Sequence, residues 1–238
     1  MIIGDADTEL LLTFNSLLGS NELHNRRLWD YGNNSLFRGF LIFFSLLALW
    51  FSGDCIKRRS RMLAGLSATC LAVLLSVWLQ HHITPHIRPL LDPALHLNIA
   101  DPQWATLFER PGSFPSDTAT LFFSLATIIF LENRLVGCLC FLWTLVIIGG
   151  IRVVFGWHYP SDIVGSLILG PAVVYLFVNI PYVAPLFKRA LKLFESRMYI
   201  VHALLFFFLT DAYNLFHGWQ HIVFYILSSR SSAGFEAH

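Results

Sequence analysis

Charged residues are scarce in this chain: Lys, Arg, Asp and Glu make up 13% of its 238 residues. A soluble domain typically carries about 25%, and hydrophobic residues here reach 55%. The shortage of charge excludes an ordinary soluble domain and predicts an integral membrane protein surrounded by membrane lipids. An excess of positive charge is also missing, since the formal net charge is +1. This excludes nucleic acid as a partner, because nucleic-acid-binding domains present a basic face.

Cysteine is sparse as well. The four cysteines, at positions 55, 70, 138 and 140, all lie in or beside apolar segments. A secreted disulfide framework is therefore not predicted, and packing is the expected role of Cys138 and Cys140.

Long apolar runs, by contrast, dominate the sequence. There are six of them, at 37–53, 62–80, 117–132, 135–156, 162–181 and 199–217. A membrane-spanning helix needs about 20 apolar residues, so most of these runs suffice or nearly suffice, and 117–132 is the shortest. The sequence predicts an all-α integral membrane bundle of about six transmembrane helices forming a single domain over 1–238. The segment 1–36 is expected to be interfacial, and 81–116 to be a long polar loop.

The distribution of basic residues predicts the orientation of this bundle. Lysines and arginines cluster at 57–61 and at 188–197, and cytoplasmic loops carry such an excess. Alternation of the spans then places both the 81–116 loop and the 152–162 loop on the periplasmic or extracellular face.

Three short stretches carry side chains suited to chemistry: Arg88-Pro89, then 112–118 (Gly-Ser-Phe-Pro-Ser-Asp-Thr), then 152–162. The third has Arg152, His158 and Asp162 at fixed offsets. A guanidinium group binds phosphoryl oxygens through two hydrogen bonds, an imidazole can attack phosphorus, and a carboxylate can fix the imidazole tautomer. This combination predicts phosphoryl chemistry.

Together the three stretches resemble the signatures of the phosphatidic-acid phosphatase type 2 superfamily, which also includes the vanadium haloperoxidases. The resemblance covers roughly residues 81–170. It implies a metal-independent membrane phosphatase that uses no cofactor. Within the superfamily, the run from Ser113 to Ser124 is most similar to bacterial undecaprenyl-diphosphate phosphatases. That similarity implies an enzyme of the bacterial inner (plasma) membrane whose substrate is a polyprenyl diphosphate or another lipid phosphate.

The resemblance also implies a role for each matched residue. His158 would be the nucleophile that forms a phosphohistidine, and Asp162 would hold its ring. Arg88 and Arg152 would clamp the phosphoryl oxygens. The other signature positions are expected to bind the substrate phosphate: His81, Ser116, Asp117 and Thr118.

Three positions depart from the family pattern, with His81 replacing a Lys, Ile151 a Ser and Thr118 a His. The departure at Thr118 affects substrate choice, because a threonine cannot act as an acid near neutral pH. A lipid monophosphate must expel an alkoxide whose conjugate acid has a pKa of about 16, whereas a lipid diphosphate expels a phosphate monoester whose second pKa is about 6. Losing the acid therefore favours diphosphates, unless Asp117 or a loop histidine takes over its role.

Other functions remain open at this stage. A lipid phosphotransferase, passing the phosphoryl group to another lipid such as lipid A, would use the same residues. A non-catalytic lipid-phosphate binding protein would explain the three departures, although both arginines, His158 and Asp162 are all retained. Histidines 81, 82 and 86 lie close together but lack carboxylate neighbours, so no metal site is predicted.

Overall fold

The computed structural model describes residues 4–19, 21–53, 56–82, 87–99 and 112–213. Its α-helices are α1 Asp5–Asn15, α2 Glu22–Asn33, α3 Ser35–Phe51, α4 Ile56–His82, α5 Asp117–Glu132, α6 Arg134–Trp143, α7 Gly150–Val154, α8 Pro160–Val178, α9 Val183–Leu193 and α10 Met198–Tyr213. A π-helix, Thr144–Gly149, joins α6 to α7, and short 3₁₀ turns cover Pro89–Leu91, Pro93–Leu95 and Glu195–Arg197. Within these ranges no strand occurs beyond one isolated bridge between Ile87 and Gly112. The predicted all-α fold is confirmed.

Helix α5 forms the buried centre of the bundle. The side chains from Thr118 to Ile129 are all buried, and α3, α4, α6 and α8 pack around them. Small residues permit this close packing, as is common between membrane helices. At Gly170 of α8, an added Cβ would lie 2.8 Å from the Thr120 carbonyl oxygen of α5. Only glycine therefore allows α8 to approach α5 this closely.

Polar side chains define where several helices begin. The side chain of Asn34 accepts a hydrogen bond from the amide of Phe37 at the start of α3. Asn133 does the same for Val136 and separates α5 from α6 by a single residue. Such caps satisfy amide groups that have no partner inside the helix.

Fewer helices are long and apolar enough to cross a membrane than the six runs predict. Four segments of the described chain qualify, namely Leu23–Phe51, Ile56–His82, Arg134–Val154 and Pro160–Val178, and a fifth is added if the helices on either side of Phe194 count as one broken span. Helix α5 is excluded by its 16 residues, which extend only about 24 Å against a hydrocarbon core of about 30 Å. The first of these spans begins at Leu23, inside the segment 1–36 that was expected to be interfacial. An interfacial position stays a prediction for α1, which precedes this span.

The two ends of the bundle differ in chemistry. Glu132, at the end of α5, forms an ion pair of 2.8 Å with Arg61 near the start of α4, and Arg58 lies 3.5 Å from the same carboxylate. Helices α4 and α5 are therefore antiparallel, so the end of α4 lies beside the start of α5. The three signature stretches meet at this second end, away from the basic residues.

Residues 194–213 form a separate unit, consisting of a 3₁₀ turn followed by α10. The sixth apolar run, 199–217, corresponds to α10 as far as Tyr213, and its last residues lie outside the described range.

Candidate active site

His158 lies in the turn between α7 and α8 and is 3% exposed. Its Nδ1 atom lies 2.9 Å from the Ser113 carbonyl oxygen and 3.3 Å from Oδ2 of Asp162. Its Nε2 atom lies 3.1 Å from Nη1 of Arg88. Carbonyl and carboxylate oxygens accept hydrogen bonds, whereas a guanidinium only donates them. Nδ1 therefore carries the proton and Nε2 carries the lone pair that a nucleophile requires.

Gly156 shapes the turn that presents His158. Its φ angle of 68° lies in the left-handed region, which glycine adopts without steric cost. The Gly156 carbonyl accepts a hydrogen bond of 2.8 Å from the amide of Leu90, and the His158 amide donates to the Arg152 carbonyl at 3.3 Å. The first of these bonds joins the Arg88 stretch directly to the His158 turn.

Asp162 has two roles in this turn. It is fully buried, and its Oδ2 atom accepts a 2.8 Å hydrogen bond from the amide of Tyr159, which caps α8. The same oxygen faces Nδ1 of His158. The carboxylate thus fixes the start of α8 and the orientation of the imidazole together.

The two predicted arginines are buried beside His158, with 5% of Arg88 and 4% of Arg152 exposed. Arg88 donates to the Trp157 carbonyl at 3.1 Å, and the guanidinium carbon of Arg152 lies 5.4 Å from the centre of the Trp157 ring. Nη1 of Arg152 is buried and has no hydrogen-bond partner among the described residues. A buried cationic donor of this kind is costly unless an anion pairs with it, so the pair is suited to binding phosphate.

Trp157 is a residue that the sequence reasoning missed. It holds one arginine through its carbonyl and lies against the other with its ring. Its position directly before His158 was the available signal, because indole rings attract guanidinium groups.

The second stretch reaches His158 through its backbone. The Ser113 carbonyl accepts from His158, and the Pro115 carbonyl is held by Gln80 at 2.6 Å and by Ser76 at 3.2 Å, both from α4. None of these contacts was predicted. A hydrogen bond to a backbone carbonyl cannot be recognised from a pattern of side chains. Gln80 could have been noticed, however, because it is a polar residue inside a long apolar helix.

Ser116 is the N-cap of α5. Its Oγ atom accepts a 3.3 Å hydrogen bond from the amide of Ala119, and the side chain is fully buried. Its amide donates to the Asp162 carbonyl at 3.4 Å. The capping role is therefore observed, and contact with a substrate phosphate stays a prediction.

Asp117 and Thr118 begin α5 and interact with each other. The Thr118 amide donates to Oδ1 of Asp117 at 2.7 Å, and the Thr118 hydroxyl lies 3.4 Å from the same oxygen. Thr118 is buried, whereas Asp117 is partly exposed. Arg88, Arg152 and His158 all interact electrostatically with the Asp117 carboxylate. Asp117 is thus the acidic group best placed to meet a phosphate bound between the arginines.

The structure places His81 differently from the buried residues. It is exposed in the last turn of α4, where its ring centre lies 6.3 Å from that of His82. His86 lies outside the described residues. A phosphate contact by His81 therefore stays a prediction. The part of the chain that the structure describes contains no group of three or more His, Cys, Asp or Glu side chains suited to a metal ion.

Arg38 is a further cation that the sequence reasoning did not single out. It lies in the first turns of α3, partly buried, and interacts electrostatically with Arg152. Its carbonyl accepts a 3.2 Å hydrogen bond from the Trp143 indole of α6. The signal was present, because an arginine inside an apolar run is a candidate functional residue.

The electrostatic surroundings favour a neutral His158. Burial and the neighbouring Arg88 guanidinium lower the pKa of this imidazole below its usual value of about 6.5, while Asp162 and Asp117 oppose the shift. The unprotonated, nucleophilic form of the ring therefore persists to lower pH than in a free histidine.

This balance predicts opposite pH shifts in two variants. Because protonation of His158 removes the nucleophile, kcat/KM should fall with decreasing pH, and the fall should begin at a lower pH than the titration of a free histidine. Arg88→Gln removes a nearby cation, raises the pKa of His158 and moves this loss to higher pH. Asp162→Asn removes a carboxylate, lowers the same pKa and moves the loss to lower pH. When both variants are compared with the wild type on the same substrate, the ionisation of the substrate phosphate contributes equally to every pH profile. Shifts of the two variant profiles in the same direction would contradict the assignment of this ionisation to His158.

A sequence profile of the PAP2 superfamily matches residues 61–185. This region begins within α4, contains α5–α8 and includes the Arg88, Ser113–Thr118 and Arg152–Asp162 stretches. The chain belongs to the PAP2 superfamily. The resemblance predicted from the sequence is thereby confirmed. Residues 1–60 lie outside the PAP2 match.

Curated relatives carry similar descriptions. The chain is 28% identical over 156 residues to undecaprenyl-diphosphatase BcrC of Bacillus subtilis strain 168, covering 63% of this chain and 74% of that protein. It is 33% identical over 129 residues to YbjG of Escherichia coli K12, described as a candidate undecaprenyl-diphosphatase, covering 52% and 58%. No solved structure matches the chain significantly. Membership of the PAP2 superfamily together with these relatives supports a lipid phosphatase.

Proposed function

We propose that this protein hydrolyses a polyprenyl diphosphate, such as undecaprenyl diphosphate, to the monophosphate through a phosphohistidine intermediate. One observation carries the proposal. The unprotonated Nε2 atom of His158 lies 3.1 Å from the Arg88 guanidinium, and Arg152 beside it has a buried donor without a partner in the described part of the chain. A nucleophile is thus combined with the cations that a phosphoryl group requires.

In the first step, the terminal phosphoryl group binds between Arg88 and Arg152. Arg88 transfers its hydrogen bond from Nε2 to a phosphoryl oxygen, which frees the lone pair. Nε2 then attacks the terminal phosphorus, and the bond from phosphorus to the bridging oxygen breaks, so the lipid monophosphate leaves. The arginines stabilise the charge on the phosphoryl oxygens, and Asp162 with the Ser113 carbonyl stabilises the positive charge that the ring acquires.

In the second step, water attacks the phosphorus of phosphohistidine. The nitrogen–phosphorus bond breaks, its electron pair returns to Nε2, and inorganic phosphate leaves. The net reaction consumes one diphosphate and one water and yields one lipid monophosphate and one phosphate. The named side chains supply the charges that both steps use, so we propose that the enzyme needs no divalent metal.

The substrate assignment has two supports. The named relatives are described as undecaprenyl-diphosphatases, and Thr118 stands where the family places a proton-donating histidine. A diphosphate tolerates this replacement because its leaving group needs little protonation, having a second pKa of about 6.

A single assay separates the candidate functions. Purified protein is incubated with undecaprenyl diphosphate labelled on its terminal phosphate, with and without lipid A. Hydrolysis predicts that the label appears as inorganic phosphate in both samples. Label on lipid A would instead identify a phosphotransferase, and label that stays on bound, intact substrate would identify a lipid-phosphate binding protein.

We also propose that the site faces the periplasm or the exterior of a bacterial plasma membrane. The support is that the basic residues around Arg58 and Arg61 lie at the opposite end of the bundle from His158, beside Glu132.

A pair of introduced cysteines tests this orientation in intact cells. In a background without native cysteines, His96→Cys should react with a membrane-impermeant thiol reagent, whereas Lys57→Cys should not; both positions are exposed. Lysed cells provide the control in which both react. The reverse pattern in intact cells would place the site in the cytoplasm.

A further inference from the structure

We propose that Asp7 and Asn15 of α1 are positioning residues that hold the His158 turn in place. Helix α1 would then belong to the active site although it lies outside the matched region 61–185. This inference rests on the proposed function, since it assigns residues that orient the nucleophile of that reaction.

Asp7 holds the end of the turn that leads into α8. Its Oδ1 atom accepts a 3.0 Å hydrogen bond from the Ser161 amide, and its Oδ2 atom accepts a 2.6 Å bond from the Ser161 hydroxyl. The Ser161 amide is one of the first amides of α8, which have no partner inside the helix. A carboxylate is also favoured near a helix N-terminus. Asp7 therefore caps α8 from a distant part of the chain. The residue that it contacts, Ser161, directly precedes Asp162.

Asn15 holds the other end of the turn. It is 2% exposed, and its amide nitrogen donates to the Val154 carbonyl at 3.0 Å and to the Asn98 carbonyl at 3.1 Å. Its amide oxygen accepts from the Asn98 amide at 2.7 Å. Both hydrogens and the oxygen of this buried side chain are thus paired. Asn15 connects the end of α7, two residues after Arg152, to the segment that follows Arg88.

Between these two contacts, α1 packs directly against the core around the nucleophile. Leu11 is fully buried in a cluster with Val153, Tyr159 and Ile163. Asp7, Leu11 and Asn15 follow one another at intervals of four residues, so they share one face of the helix. Val154 and Ser161 lie on either side of His158 in the chain. Helix α1 therefore fixes both ends of the turn that carries the nucleophile.

Helix α1, with its contacts through Asp7 and Asn15, is called the brace below. Its remaining surface explains how it can lie at the end of a membrane bundle. Leu10 and Phe14 are exposed on one flank, and Asp5 and Glu9 are exposed on another. A helix with separate apolar and polar flanks is suited to the boundary between lipid and water.

The catalytic consequence follows from geometry. A misplacement of about 1 Å in a reacting group can cost about 100-fold in rate. Asp7 contacts no reacting atom, so its loss should lower kcat and leave KM nearly unchanged. We expect Asp7→Ala to reduce kcat by about tenfold, while Asp5→Ala, which removes the same charge from the same helix turn, leaves kcat unchanged. Asp7→Asn keeps one acceptor oxygen and should give an intermediate rate.

A double-variant cycle separates positioning from general loss of structure. Ser161→Ala removes the hydroxyl partner, so adding Asp7→Ala to it should cost less than Asp7→Ala costs in the wild type. Fully additive losses of kcat in the double variant would overturn the assignment. A rise in KM of Asp7→Ala as large as its fall in kcat would overturn it as well. Thermal unfolding in detergent measures any global destabilisation of each variant.

Hydrogen exchange supplies a readout that does not need activity. In Asp7→Ala, the Ser161 amide and the residues around His158 should exchange faster, whereas Asp5→Ala should match the wild type. If the wild type hydrolyses no lipid phosphate but this exchange pattern appears, the proposed function fails and the brace stands. If the wild type is active and Asp7→Ala changes neither exchange nor kcat, the brace is refuted.

Discussion

His158→Ala is expected to abolish the hydrolysis of a polyprenyl diphosphate, lowering kcat by about a thousandfold or more. The side chain is the only proposed nucleophile, and its Nε2 atom lies beside Arg88 in the unprotonated form. The wild type should also accumulate acid-labile, alkali-stable phosphate on the protein when turnover is quenched within milliseconds. Peptide mapping of that phosphate should locate it on residue 158.

Two controls make the His158 result interpretable. His158→Asn retains a side-chain amide that can still donate to the Ser113 carbonyl, so it removes the nucleophile while preserving that contact. His24→Ala changes an exposed histidine of α2 and should be fully active. Activity above a few per cent in both His158 variants, or a labelled phosphate elsewhere in the chain, would refute the nucleophile assignment.

Sequence spacing could predict the side chains of the site but not their backbone supports. Arg152, His158 and Asp162 lie within one short stretch, so their relation is local and recognisable. The contact of His158 with the Ser113 carbonyl joins residues 45 positions apart, and that of Asp7 with Ser161 joins residues 154 positions apart. Such contacts depend on how helices pack, and no periodic pattern encodes them.

The same limit explains why the run 117–132 does not form a membrane span. Apolarity shows that a helix is removed from water, but it does not distinguish burial in lipid from burial in protein. Helix α5 is apolar because other helices surround it. The start of this helix places Ser116, Asp117 and Thr118 at the end of the bundle where the arginines lie. The main contribution of this short helix is therefore to position residues of the candidate active site.

The wild type is expected to cleave a polyprenyl diphosphate much faster than a monophosphate of equal chain length. General acid catalysis is worth about 100- to 10,000-fold, and Thr118 cannot provide it. Only the monophosphate depends strongly on an acid, because its alkoxide leaving group has a conjugate acid with a pKa of about 16. The measurement is kcat/KM for both lipids in the same detergent.

Asp117 is the residue most able to reduce this preference. Asp117 is partly exposed, and its carboxylate interacts electrostatically with Arg88, Arg152 and His158. A phosphate bound between the two arginines would therefore lie close to the Asp117 carboxylate. If Asp117 donates the proton, Asp117→Asn should lower the monophosphate rate far more than the diphosphate rate. If it only balances the charge of the empty site, the variant should change both rates by the same factor.

Restoring the family residue tests the argument from the other side. Thr118→His should raise monophosphate hydrolysis proportionally more than diphosphate hydrolysis, because only the alkoxide gains greatly from a proton donor. Thr118→Ser is the matched control, since it keeps the hydroxyl near Asp117 and adds no acid. Thr118 is 3% exposed, so an imidazole must displace neighbouring atoms, and imperfect alignment limits the gain. Equal wild-type rates on the two lipids, or a His variant slower on both, would show that the leaving group does not determine substrate choice in this enzyme.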